Sequence, residues 1–367
     1  MKLISNIQGL RGIAALLVVF AHLYGVDQKF FGGAVLSPAI QVGFSGVDLF
    51  FVISGFIMIY ITQTGIGNLK IAPAFLFARF SRIYPLWWLV LGIIAAVWSI
   101  KPSWVFSSIS GAPNLWADFL LLPHNRLPLL AVGWTLIHEV YFYIVFSALL
   151  LVPRKYFDLS LLTWMGLVAM GNALLPANQS PLLALITSPL TIEFGVGMLI
   201  GKMYVNRLKI SPTLLLALGF VWLITAYLTI TNVREFFEAP WSRVLAFAPA
   251  WGLICLGAIN LELSKGLKLP ALLIGLGNIS YALYLIHVPI LAGVSRLISP
   301  YCSDAAWDNV VMWFVLVLIA CLSASLLHRL FELPTLSFLS KIRWQLFPKG
   351  SEILGDSRTT DAIEHKN

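Results

Sequence analysis

Arg11 and His22 lie eleven residues apart in one unbroken apolar run, from Gly9 to His22. Ionisable groups are costly inside a bilayer and as a rule face a cavity or a partner. On an α-helix eleven steps make about three turns, so both side chains share one face. They are then ~16 Å apart along the axis, roughly half the hydrocarbon thickness. A guanidinium at one end of that face can hold an anion. An imidazole further along can take or give a proton near neutral pH. The alternative is an arginine snorkelling at the helix start and a histidine hydrogen-bonded inside the bundle.

Further ionisable groups interrupt other apolar runs: Asp48, His138, Glu139 and His287. If the runs cross the membrane in alternating directions, these four and His22 fall at about one depth. A shared polar chamber explains that coincidence, and so does a set of interhelical hydrogen bonds. A second cluster lies at the opposite membrane border. Arg79 and Arg82 are spaced i, i+3, with Lys70 close in sequence and Arg11 on the same side. Arginine forks match phosphate oxygens in bidentate fashion. The competing reading is plain positive-inside retention with contact to lipid headgroups. Trp87 and Trp88 could stack on an adenine, but tryptophans are usual at membrane borders.

The elements that carry these groups follow from composition. The 367 residues are 59% hydrophobic and 11% charged, against about 25% charged in a soluble domain. The expected fold is all-α, a polytopic membrane helix bundle. Ten segments are long enough to span: 6–24, 42–62, 83–100, 133–152, 158–175, 182–204, 213–230, 244–261, 272–297 and 310–330. Leu115–Leu122 is too short, and is either re-entrant or interfacial. With this assignment 18 of the 24 Lys and Arg residues fall on the side of the N-terminus. The positive-inside rule then places both termini in the cytoplasm. The net charge of +8 is therefore an orientation signal, and no nucleic-acid partner is expected. The three cysteines show no paired or Cys/His spacing, so neither a disulfide framework nor a metal site is expected. The first run has no small-residue cleavage site and reads as a retained helix. Residues 1–347 form one transmembrane domain in this reading. Residues 348–367, polar and mixed in charge, form a disordered cytoplasmic tail.

These motifs resemble those of the acyltransferase-3 family of membrane acyltransferases, particularly those that O-acetylate exopolysaccharides and other surface glycans. The resemblance runs from the first span to the end of the tenth. It rests on Arg11 and His22 as an R-x10-H motif, and on Gly46-Val47-Asp48-Leu49-Phe50-Phe51-Val52-Ile53-Ser54-Gly55-Phe56. It continues with Arg79-Phe80-Ser81-Arg82-Ile83-Tyr84-Pro85, and with Trp134-Thr135-Leu136 through Glu139 to Phe142-Tyr143. It closes with Ile279-Ser280-Tyr281-Ala282-Leu283-Tyr284-Leu285-Ile286-His287-Val288-Pro289 and Phe331-Glu332-Leu333-Pro334. His138 has no counterpart in that pattern.

The resemblance implies acetyl-CoA, or a similar short acyl-CoA, as donor from the cytoplasm. It implies a glycan hydroxyl, free or on a lipid-linked oligosaccharide, as acceptor on the other side of an inner (plasma) membrane. It also implies that His22 is catalytic and that Arg79 and Arg82 serve the donor, with Arg11 and Tyr84 grouped with them. A hydroxyl becomes a nucleophile when its proton is taken, and His22 has the right chemistry for that. In this scheme Asp48 orients its ring, as in the Ser-His-Asp arrangement. His287 or Tyr281 donates to the thioester oxyanion, and Glu139 either binds acceptor hydroxyls or holds a neighbouring helix. An acyl-His22 intermediate is the mechanistic alternative. A transporter with an intramembrane proton relay is the rival from another class, although no inverted repeat is visible.

Overall fold

The computed structural model describes residues 4–33, 36–105, 112–176, 179–208, 210–302 and 306–354. The described residues are helical and contain no strand, and ten stretches are long and apolar enough to cross a membrane. The principal helices are α1 (Ser5–Phe30), α2 (Gly46–Thr62), α3 (Ile71–Ile100), α4 (Gly133–Leu150) and α5 (Phe157–Leu174). They continue with α6 (Thr191–Val205), α7 (Pro212–Thr229), α8 (Pro240–Lys265), α9 (Ser280–Ile298) and α10 (Ala306–Leu327). The most apolar window of the α8 span is 67% buried, against 17% for the α5, α7 and α10 spans. Leu162, Val221 and Leu318 are among the large apolar side chains those three leave exposed, which suits contact with lipid. The inner helices are the ones able to enclose polar groups.

Glycine sets how closely the inner helices approach. A Cβ on Gly55 of α2 would lie 2.0 Å from the Phe194 carbonyl oxygen, and one on Gly197 of α6 would lie 2.0 Å from that of Val52. Backbone thus packs on backbone, as membrane helices do through small residues. The short helix Ala271–Asn278 docks on α1 by the same device, because a Cβ on Gly277 would lie 1.9 Å from the Gln8 oxygen. The start of α1 is capped from another helix. The backbone N–H groups of Ser5 and Asn6 donate to the Glu262 carboxylate of α8, at 3.1 and 2.7 Å. That satisfies two of the four donors every helix start leaves open.

Four boundaries differ from the sequence reading. Helix α3 begins at Ile71, so Arg79 and Arg82 lie inside it rather than before it. The span expected over 272–297 is broken at Ile279 into Ala271–Asn278 and α9. The tenth span continues past 330 through a π-turn, His328–Glu332, into Leu333–Leu346. The stretch 348–367 is not disordered from its start: Pro348–Ile353 is helical, Ser351 is buried, and Thr64 Oγ1 donates to the Ile353 carbonyl at 3.3 Å. Residues 355–367 lie outside the described residues.

The short segment between α3 and α4 is tied to α3 by three side-chain hydrogen bonds. Leu115–Leu120 is a brief helix capped by Asn114. Trp87 Nε1, Trp88 Nε1 and Tyr84 Oη donate to the carbonyls of Asp118, Phe119 and Leu120, at 2.9, 3.0 and 3.0 Å. The segment thus lies at the level where α4 begins, since Trp87 also packs on Gly133. Fully buried Asp118 fixes the return, accepting from His124 Nε2 at 2.8 Å and from the Leu129 N–H at 2.9 Å.

Candidate active site

Helices α1 and α9 run parallel and carry the two ends of the site. Gln8 meets Gly277 near the face of the bundle that bears the N-terminus, here the proximal face. His22 meets His287 further along, towards the distal face.

At the proximal end a cavity is lined by Arg11, Arg79, Arg82, Glu139, Tyr143 and Tyr281, among others. Three guanidinium groups face the Glu139 carboxylate, and the buried Glu332 carboxylate also acts on Arg11. Tyr143 Oη donates to Glu139 Oε1, and Ser54 Oγ donates to the same oxygen at 3.2 Å. Glu139 is thereby held by α2 and by its own helix. Arg79 lies over the Phe75 and Tyr143 rings, 5.7 and 6.0 Å from their centroids. Its buried Nε has no hydrogen-bond partner among the described residues. A buried N–H left open beside surplus positive charge is a place for an anionic oxygen.

At the distal end the two histidines form a directed pair. Nδ1 of His287 lies 2.7 Å from the Tyr284 carbonyl and 3.1 Å from that of Leu283. Nδ1 of His22 lies 3.0 Å from the Val18 carbonyl. Carbonyl oxygens only accept, so in each neutral ring Nδ1 carries the hydrogen. Nε2 of His287 is then an acceptor, and it sits 3.2 Å from His22 Nδ1. His22 is left with Nε2 as a free base. His287 is fully buried, whereas His22 keeps some exposed surface. The Phe44 ring meets the His22 ring edge-on at 4.9 Å and limits its rotation.

Tyr281, Tyr284 and His287 are spaced i, i+3, i+6 on α9 and link the two ends. Tyr281 and Tyr284 line the cavity. The Tyr284 ring is 5.8 Å from that of His287. One face of α9 therefore leads from the arginines to the histidine pair in about two turns.

Several groups expected at the site are placed elsewhere. Asp48 does not orient His22. It forms a buried bidentate pair with Arg243 of α8, at 2.7 and 3.0 Å. Arg243 is stacked over Trp134 and Phe237, and fully buried Glu193 of α6 lies within its electrostatic reach, its two oxygens without hydrogen-bond partners among the described residues. Tyr84 does not line the cavity, because its hydroxyl is used on Leu120. Tyr281 donates to the Ile83 carbonyl at 2.6 Å, so its proton is occupied. His138 turns towards Ser188, 3.3 Å away, and the Trp134 carbonyl. Glu139 belongs to the arginine cavity and not to the histidine level. Arg243 and Glu193 were not singled out from sequence. A charge pattern in the α6 and α8 runs was the signal: each has one ionisable residue near its start, where Asp48 stands in α2.

Comparison with known proteins gives the family. The acyltransferase domain model of the acyltransferase-3 family matches residues 4–329. The exopolysaccharide production protein ExoZ of Rhizobium meliloti (strain 1021) is 28% identical over 267 residues, covering 70% of this chain and 78% of that protein. Protein 2 in the picA locus of Rhizobium radiobacter is 32% identical over 153 residues, 36% of this chain and 75% of its own length. A Staphylococcus aureus (strain COL) protein provisionally named an O-acetyltransferase is 28% identical over 201 residues, 47% of this chain and 29% of its own. No solved structure matches the chain. With a family match over nearly its whole length, and ten helices among the described residues long and apolar enough to cross a membrane, the chain belongs to the acyltransferase-3 family of multi-pass membrane acyltransferases.

Proposed function

We propose that this protein transfers an acetyl or other short acyl group from acyl-CoA to a sugar hydroxyl of an exopolysaccharide or related surface glycan, free or lipid-linked. The donor's phosphates lie against Arg11, Arg79 and Arg82 at the proximal face, which is cytoplasmic. The acceptor hydroxyl comes to His22 from the distal face of an inner membrane. The observation that carries this reading is the single α9 face joining the arginine cavity to the histidine pair. An enzyme whose anionic donor and neutral acceptor arrive from opposite sides needs such a route. The relatedness to an exopolysaccharide production protein supports the acceptor class.

In this reaction His22 Nε2 takes the proton of the acceptor hydroxyl as its oxygen attacks the thioester carbon. Collapse of the tetrahedral species breaks the C–S bond, and the thiolate recovers the proton from His22. His287 fills the place that Asp occupies in the Ser-His-Asp arrangement: it fixes the ring and its tautomer through Nδ1–H. It supplies no negative charge, so its help lies in orientation. The test is thiol release from acetyl-CoA by purified protein in detergent, with and without a surface-glycan extract. Acceptor-dependent release that His22→Ala abolishes supports the reading. Folded wild-type protein that releases no thiol refutes it, and a transporter would behave that way.

A further inference from the structure

We propose that Tyr284 is a catalytic residue, its hydroxyl supplying the hydrogen bond that stabilises the oxyanion of the tetrahedral intermediate. This rests on the acyl-transfer reading and adds a group to it. Attack of a hydroxyl on a thioester moves the carbonyl π pair onto oxygen, and a donor aimed at that oxygen is the largest single aid such a reaction receives. The donor must be reached from the acyl-CoA cavity and must lie beside the histidine pair. Tyr281 fails because it stands six residues before His287, and because turning its hydroxyl away would strip the Ile83 backbone carbonyl of a short 2.6 Å bond. His287 fails because Nδ1–H is engaged by backbone and Nε2 carries no hydrogen. Tyr284 meets both conditions, lining the cavity with its ring 5.8 Å from that of His287.

Its resting hydrogen bond has the right form. Tyr284 Oη and Thr135 Oγ1 are 2.8 Å apart, and Thr135 Oγ1 donates to the Val132 carbonyl at 2.9 Å. The Val132 carbonyl is also 3.4 Å from Tyr284 Oη, but the shorter bond from Thr135 uses that residue's one hydrogen there, which leaves Tyr284 as the donor between the two hydroxyls. That bond is neutral. Rotation about the phenol C–O bond exchanges it for a bond to an oxyanion, roughly twice as strong. The exchange is favourable only once negative charge has formed, so it stabilises the transition state over the bound thioester. Tyr284 transfers no proton. The hydroxyl proton goes to His22 and then to the departing thiolate. The Phe50 ring, edge-on at 5.8 Å, confines the phenol ring and leaves O–H rotation free.

The test is acetyl-CoA turnover by wild-type, Tyr284→Phe and Thr135→Val proteins with a surface-glycan extract, with thermal unfolding of each. Tyr284→Phe is expected to lower kcat about 10²–10³-fold, the effect of losing one oxyanion donor. KM for acetyl-CoA should stay within about twofold, because uniform binding is untouched. Thr135→Val removes only the resting acceptor and should keep at least a third of wild-type kcat. Unchanged kcat in folded Tyr284→Phe overturns the proposal. Equal losses in both variants overturn it too, since they would mark the pair as structural. If Tyr284→Phe does not fold, 3-fluorotyrosine at position 284 preserves the shape and changes the acidity of the donor; a kcat unchanged by it overturns the proposal. Absence of thiol release by wild-type protein would refute the acyl-CoA reading itself, an outcome separate from these.

Discussion

Two groups of buried charge lie in this bundle, and they are built in opposite ways. Around Arg243 one guanidinium holds both Asp48 oxygens, with aromatic rings over the cation and the Glu193 carboxyl within electrostatic reach. Around Arg79 three guanidinium groups meet two carboxylates, Glu139 and, on the Arg11 side, Glu332, and an N–H is left open. The first group pairs its one cation completely and so joins α2 and α8, although both oxygens of the neighbouring Glu193 carboxyl have no hydrogen-bond partner among the described residues. The second has surplus charge, which a membrane interior does not tolerate without a partner. That asymmetry separates a charge cluster that holds helices together from one that waits for a ligand. Burial alone would not have told them apart.

The contrast can be broken or sharpened by substitution, and the largest effect belongs to the paired group. Arg243→Met strands the buried carboxyls, and loss of one partner from such a pair costs about 3–5 kcal/mol. Thermal unfolding in detergent should show the loss, and donor affinity should change little in protein that remains folded. His287→Phe removes one of the two acceptors for His22 Nδ1–H, leaving the Val18 carbonyl. Transfer should fall roughly 10²-fold, less than the ~10⁴-fold seen where a charged orienting partner is lost. Steady-state kinetics with unchanged KM would check it.

Arg82→Ala takes away one charge-assisted contact to the donor, worth about 1.5–3 kcal/mol. KM for acyl-CoA should rise about ten- to hundredfold with folding intact. If its unfolding temperature drops as that of Arg243→Met does, the distinction between the two groups is lost. The smallest change is Gly277→Ala. Its Cβ would press on the Gln8 carbonyl, 1.9 Å away, and overpacking of that sort costs about 1–3 kcal/mol. It should lower stability and shift the seam between α1 and the α9 segment without changing donor affinity.

The sequence made the spans legible because hydropathy over some twenty residues is a local property. It also put Arg11 and His22 on one helix face by period alone, and both lie along the route. The partners were not legible. Asp48 and Arg243 are 195 residues apart and His22 and His287 are 265 apart. Which acid meets which base depends on how α2, α8 and α9 cross, and the chain spells that out only through glycines such as Gly55 and Gly197. Tyr84 shows the same limit from the other side. It stands in the same short motif as Arg79 and Arg82, yet its ring points to Leu120, because residues 79 and 82 share a helix face that 84 leaves. The docked turn Pro348–Ile353 was hidden by its polar composition. Its burial comes from a surface that α3 and the Gly65 turn provide, not from an apolar period of its own.

The central claim is that the arginine cavity and the histidine pair serve one reaction in two different ways, one by holding the donor and the other by chemistry. Acceptor-dependent thiol release should be measured for wild-type, Arg82→Ala and His22→Gln proteins as acetyl-CoA is raised to saturation. The account predicts that Arg82→Ala recovers most of its rate at high donor, whereas His22→Gln stays about 10²–10⁴-fold low at every concentration. Recovery of His22→Gln at saturating donor, or a donor-independent loss in Arg82→Ala, would contradict it.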